Sequence, residues 1–159
     1  MSIPSWRGKL LHIFLADDAG APMTELQEAK LIAGVGIEGD RYAKGVGHYS
    51  LHPRSDRQVT LIEMETLEAL ERDCGIRLQP FEPRRNIVTR DVPLNHLVGR
   101  RFSLGGAVLY GDRLSIPCRY LEELVCKPVF APLLNRAGLN CQILESGVIR
   151  RNDFIWLEA

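Results

Sequence analysis

Apolar residues recur along this chain in short runs rather than long ones, and each run is closed by a turn signal. Lys9 to Ala16 is strongly apolar and ends at Asp17-Asp18-Ala19-Gly20-Ala21-Pro22, while Glu28 to Ala33 and Gln58 to Ile62 are short and extended. Asn86 to Thr89, Phe102 to Leu104, Ala107 to Tyr110, Leu139 to Leu144 and Phe154 to Leu157 continue the series, punctuated by Gly99, Gly105-Gly106, Gly111-Asp112 and Glu145-Ser146-Gly147. The period changes once. Met64, Leu67 and Leu70 lie at helical spacing between Glu63 and Asp73, with acidic residues in the first turn and Gly75 just past the end. Two further short helices are predicted over Cys118 to Val125 and Val129 to Asn135, divided by Pro128.

Many short strands with regular turns and few helices predict a mainly β (α+β) fold, a β-barrel with helical insertions rather than an alternating β-α-β sheet. At 159 residues and 45% hydrophobic content, the chain is sized for a single domain spanning residues 1–159. The irregular stretch from Ala43 to Asp56 reads as a long loop, of the kind that often carries function.

Charge and cysteine content narrow the function classes. The formal net charge is zero, which argues against nonspecific nucleic-acid binding. Of the 20 basic residues 16 are arginine, the side chain whose planar fork grips phosphate and carboxylate; a GC-rich genome would give the same ratio without a ligand. Cys74, Cys118, Cys126 and Cys141 form no C-x-x-C pair, so no zinc or iron–sulfur site is read from spacing. Free thiols, no signal-peptide pattern and no membrane-spanning run predict a soluble cytoplasmic protein. His48 and His52 are four apart, but Gly47 and Pro53 oppose a helix there, and no metal is assigned to them.

Candidate chemistry centres on Cys118. Pro117-Cys118-Arg119 stands at the mouth of a predicted helix, where an apparent strand from Arg113 to Ile116 runs out. First-turn amides without intrahelical partners, with Arg113 and Arg119 nearby, favour a thiolate; the alternative is a small buried hydrophobe after a proline. Gly34-Val-Gly36-Ile-Glu-Gly39-Asp40-Arg41 matches G-x-G-x-x-G but leads into a loop, not a helix, so it is no dinucleotide fingerprint. It reads as a tight turn, either letting backbone approach a ligand or simply requiring positive φ. In Pro83-Arg84-Arg85-Asn86, strand alternation places Arg84 and Asn86 on one face and Arg85 on the other. That pair suits an anionic ligand, and equally a surface ion pair with an edge hydrogen bond. Leu144 to Ile149 reads as a hairpin closing the barrel.

Taken in order, GIEGDRY (Gly36 to Tyr42), RQVTLIE (Arg57 to Glu63), PRRNIVT (Pro83 to Thr89), LVGRRFSLG (Leu97 to Gly105), PCRYLEEL (Pro117 to Leu124) and NRAGLNCQILESGVI (Asn135 to Ile149) resemble the MOSC domain, named for the C-terminal part of molybdenum-cofactor sulfurase. The resemblance implies a β-barrel, binding of the molybdenum cofactor (molybdopterin), and a functional cysteine at Cys118. That cysteine would carry sulfur as a persulfide or ligate molybdenum. It also implies that Arg84 and Asn86 contact the cofactor's phosphate or pterin, that Arg136 assists and Arg57 binds it, and that Asp40 and Arg41 lie near the site, where an ion pair fixing the loop explains them equally well. Asn152 stands where the closing turn commonly has glycine, and Cys141 where a small residue is usual. The residues carry no recognisable desulfurase half, flavin, haem or cluster site, so the resemblance implies a separate sulfur-donor or electron-donor protein. A sulfur-carrying or reductive enzyme and a non-catalytic cofactor carrier both fit these features.

Overall fold

The computed structural model describes residues 5–48 and 57–158. Strands β1 (Arg7–Leu15), β2 (Thr24–Leu26), β3 (Glu28–Ile32) and β4 (Gly36–Ile37) precede β5 (Val59–Glu63) and helix α1 (Met64–Cys74). Then come β6 (Ile87–Arg90), a 3-10 turn at Leu94–Leu97, β7 (Arg101–Leu104), β8 (Ala107–Leu114), helix α2 (Arg119–Val125), β9 (Leu139–Glu145), β10 (Gly147–Arg150) and β11 (Phe154–Leu157). The main sheet runs β11-β7-β8-β9-β5-β6-β1-β2, and β11 pairs back onto β1, so seven strands close into a barrel. Closure removes the edges that an open sheet leaves unpaired. A small sheet, β10-β3-β4, packs its Ala29, Leu31, Ile37 and Ile149 into the same core.

The strands that read as continuous apolar runs are those buried on both faces. Ile13, Leu61 and Ile87 point into the barrel with Phe102, Leu104 and Leu139, whereas their neighbours Phe14, Ile62 and Val88 turn outward. There they meet Leu67 and Leu70 of α1 and Leu121 of α2. Period-two alternation is thus satisfied by two cores rather than by core and solvent. β5 and β6 pair in parallel, and α1 makes the crossover between them. Gly75 ends α1 with φ 67°, donating its N–H to the Glu71 carbonyl while Ile76 N–H donates to the Leu70 carbonyl.

Several sequence expectations are corrected. No helix forms over Val129 to Asn135; the chain makes a series of turns there, because Pro128 and Pro132 lack donors and Asn135 is left-handed at φ 63°. Gly111-Asp112 does not interrupt a strand: β8 continues to Leu114 through a bulge, and Ser115 to Pro117 lie outside it. Leu144 to Ile149 does not close the barrel, since β10 leaves to pair with β3. Closure comes instead from β11 on β1. Of the loop from Ala43 to Asp56, residues 43–48 form turns, and the remainder, with His52, lies outside the described residues. Among the described residues no helix is long and apolar enough to cross a membrane.

Cys141 lies fully buried in the barrel core, and burial, reinforced by the Asp112 carboxylate, pushes its thiol well above the ordinary thiol range. Its folded-state pKa is raised, so the stability it contributes is fully present below the unfolded thiol's pKa of about 8.5 and is lost as pH rises above that value. Cys141→Ala is expected to be about 1 kcal/mol less stable than the parent at pH 7, for the methyl-sized void it leaves. Urea unfolding at pH 7, 9 and 10 should show that gap closing as pH rises. A gap independent of pH would show that Cys141 does not titrate on unfolding.

Candidate functional site

At one end of the barrel, the ends of several strands and the start of α2 surround a cavity of about 270 Å³. Its most distinctive lining is cationic: Arg41, Arg57, Arg84, Arg85 and Arg113 contribute to the wall, and no aspartate or glutamate does among the described residues. Cys118, Tyr120 and Leu121 line the same cavity from the start of α2. Such a chamber favours an anion.

Cys118 is the N-cap of α2, in an extended conformation (φ −135°, ψ 158°), one residue before the helix proper. Its side chain makes no capping hydrogen bond; it is half-buried, packing against the outer core cluster while lining the cavity. Of the two arginines expected beside it, Arg113 lines the cavity. Arg119 does not. Its side chain is 82% exposed and its guanidinium lies over the Phe130 ring at 5.6 Å.

Arg84 holds the least expected conformation. Its φ of 61° places a long side chain in the left-handed region, so the strand begins only at Ile87 and alternation does not reach back to Arg84. Arg84 and Arg85 therefore share the cavity, which corrects their expected placement on opposite faces. Arg84 Nη1 donates to the Ala21 carbonyl at 2.8 Å, while Nη2 is buried and finds no hydrogen-bond partner among the described residues. Burial first, and then the charge of Arg41, holds the Arg84 guanidinium below its ordinary pKa. A buried donor without a partner beside a second cation is a place prepared for an acceptor.

Other predicted site residues stand back from the cavity. Asn86 and Asp40 are buried behind it, with 3% and 0% exposure. Asn86 Oδ1 accepts from Thr60 N (3.1 Å) and Thr60 Oγ1 (3.3 Å), and Asn86 Nδ2 donates to the Phe14 carbonyl at 3.1 Å. Arg136 lies outside the lining, donating Nε to the Pro132 carbonyl at 2.8 Å and pairing with Asp73 at 3.7 Å. The glycine-rich segment is a hairpin: β3 and β4 pair across residues 33–35, and Gly34, Gly36 and Gly39 have φ of 76°, 143° and 88°. It delivers Asp40 and Arg41 to the site.

The structure adds residues that sequence reading did not single out. Thr60, Ser115 and Asn140 form an uncharged polar part of the wall, in which Ser115 Oγ donates to Asn140 Oδ1. A polar residue within the apolar run Leu139 to Leu144 was the available signal for Asn140. His48 stacks on Tyr120 with ring centroids 3.8 Å apart and an interplanar angle of 7°, a flat aromatic border to the cavity. Among the described residues no group of three or more His, Cys, Asp or Glu is arranged to hold a metal ion.

Fold and site together define a closed β-barrel with an arginine-lined chamber and a half-buried thiol in its wall. A MOSC domain profile matches residues 48–156, and the chain belongs to the MOSC domain family. That family is associated with molybdenum cofactor binding. Crystal structures share the fold. The YuaD protein of Bacillus subtilis superposes with a TM-score of 0.79 at 20% identity, covering 97% of this chain and all of that one. YiiM of Geobacillus stearothermophilus gives 0.73 at 12% identity over 95% of this chain and 75% of its own. YiiM of Escherichia coli gives 0.68 at 15% identity over 99% and 71%. No curated protein sequence matches the chain.

Proposed function

We propose that this protein binds the molybdenum cofactor in the arginine-lined cavity, with Cys118 as its working residue. A single observation carries the reading: Arg84, whose buried Nη2 lacks a partner, lines the same cavity as Cys118, whose sulfur is not used as a cap. These residues fit the group, because the cofactor presents a phosphate and a thiophilic metal, and a guanidinium and a thiolate are the donors each prefers. Arg84 would hold the phosphate, Arg41 and Arg57 would add positive charge, and the His48–Tyr120 stack would be available to the pterin. When bound, the group supplies a redox-active metal centre. Cys118 serves either as a ligand to that metal or as a sulfur carrier. In the carrier role its thiolate takes the terminal sulfur of a donor protein's persulfide, and the donor departs as a thiol, so that no net oxidation occurs. The sulfur or electron donor is a separate protein.

Reconstitution with the cofactor, followed by desalting and measurement of molybdenum and pterin per chain, tests the proposal. The parent is expected to retain both, and Arg84→Met to weaken retention roughly tenfold or more, the value of one charge-assisted pair to phosphate. Cys118→Ser should keep the pterin but lose the Mo–thiolate signature in X-ray absorption, or lose persulfide formation if the carrier role holds. Equal retention by the parent and Arg84→Met, with Cys118→Ser indistinguishable from both in every readout, would sink the reading.

A further inference from the structure

We infer that Asp40 and Asn86 are positioning residues of the anion site: they touch no ligand, but fix the conformation in which Arg84 presents its unpartnered nitrogen to the cavity. The inference rests on the reading of Arg84 as the phosphate anchor. Neither Asp40 nor Asn86 lines the cavity, and both are buried. Asp40 Oδ1 accepts from Ala16 N at 3.2 Å, Arg41 Nη1 at 3.1 Å and Asn86 Nδ2 at 3.4 Å, and its Oδ2 accepts from Tyr42 N at 3.2 Å. Asn86 in turn spans Thr60 on β5 and Phe14 on β1. One buried carboxylate and one buried carboxamide thereby knot together the end of β1, the segment after β4, β5 and the entry to β6.

The knot reaches Arg84 through its backbone. Arg41, held by Asp40 through Nη1, donates Nη2 to the Arg84 carbonyl at 3.4 Å, and its guanidinium lies over the Tyr42 ring at 4.8 Å. Arg84 N–H donates to the Phe81 carbonyl at 3.1 Å, which completes a turn. A left-handed arginine persists only where its surroundings over-determine it, and here they do so from both sides of the residue. With Nη1 tied to Ala21, the side chain has one direction left, which leaves Nη2 as the spare donor.

The sign of one measurement separates positioning from mere charge. A buried carboxylate near an anion site repels the anion, so if Asp40 acted only through its charge, removing it would tighten binding. If it acts by holding Arg41 and Arg84, removing it loosens binding. Titration of the full chain with inorganic phosphate, followed by calorimetry, compares the parent, Asp40→Asn, Arg84→Met and the double variant. Arg84→Met is expected to weaken phosphate roughly tenfold and Asp40→Asn roughly three- to tenfold, with the double variant no weaker than Arg84→Met alone. Binding by Asp40→Asn as tight as the parent's or tighter, or losses that add in the double variant, would overturn the inference. Equal binding by the parent and Arg84→Met would instead overturn the reading beneath it. Should Asp40→Asn fail to fold, Arg41→Lys keeps the charge and loses the fork that joins Asp40 to the Arg84 carbonyl. The same weakening is expected of it, and unchanged phosphate affinity would count against the inference.

Discussion

Gly138→Ala is expected to be among the most damaging single substitutions in the chain. A Cβ at Gly138 would stand 2.0 Å from the Leu61 carbonyl oxygen and 3.1 Å from its carbon, and the residue's φ of 112° suits no side chain. The obstacle is backbone of β5, paired with β9 at Leu61–Leu139, so no rotamer change relieves it. Shifting β9 would also disturb the Gly138 carbonyl, which accepts the Ser115 N–H at 2.8 Å and so sets the approach of the chain to Cys118. A loss on the order of 4 kcal/mol follows, or roughly 10 °C in melting temperature for a chain of this size. Thermal unfolding of Gly138→Ala checks it; a melting temperature within a degree or two of the parent's would show that β5 and β9 can separate without cost.

Asn86→Leu is the second substitution of this size. Leucine keeps asparagine's branched shape but is larger and cannot hydrogen-bond, so the loss combines missing partners with overpacking of a buried site. Thr60 N–H, Thr60 Oγ, the Phe14 carbonyl and Asp40 Oδ1 each lose a contact, all in the buried seam between β1, β5 and β6. Leaving a buried polar group unsatisfied costs about 1–3 kcal/mol, and several together amount to about 3–5 kcal/mol, a large part of an ordinary domain's stability. Urea unfolding of Asn86→Leu should show its midpoint falling accordingly. Asn86→Ser, which keeps a donor and an acceptor on a shorter side chain, is expected to lose less. Equal loss by both would assign the effect to packing instead.

These two predictions mark the division between what could be read from residues and what could not. The barrel was legible because alternation and turn chemistry are local: apolar runs such as Lys9 to Ala16, closed by glycine, proline and aspartate, admit few conformations. Helix α1 was legible for the same reason, its apolar spacing and its Gly75 end lying within one short segment. Residues 129–135 carry the apolar spacing of a helix and yet form turns, because Pro132 withholds a donor from within the segment. The role of the closing hairpin was misread because pairing partners are chosen by register across the fold, and β10 found β3 rather than β9's neighbours.

The candidate site divides in the same way. Local residue types pointed to Cys118 and Arg84, and the family resemblance carried by the motifs added Arg41 and Arg57. Which of them share a chamber was decided by tertiary structure. Arg85 and Arg113 join it, Arg119 and Arg136 do not, and Asp40 and Asn86 withdraw behind the wall. The physical reason is that a strand's alternation sets a side chain's face only where the backbone is extended. One left-handed residue at Arg84 cancels that rule, and nothing local in Pro83-Arg84-Arg85 announces it. Short apolar runs and their turn signals determined that this chain is mainly β and barrel-like, while the pairing of β11 with β1 that closes it was decided by tertiary register. Long-range hydrogen bonds from Asp40 and Asn86, spanning up to 72 positions of sequence, decided where its charges point.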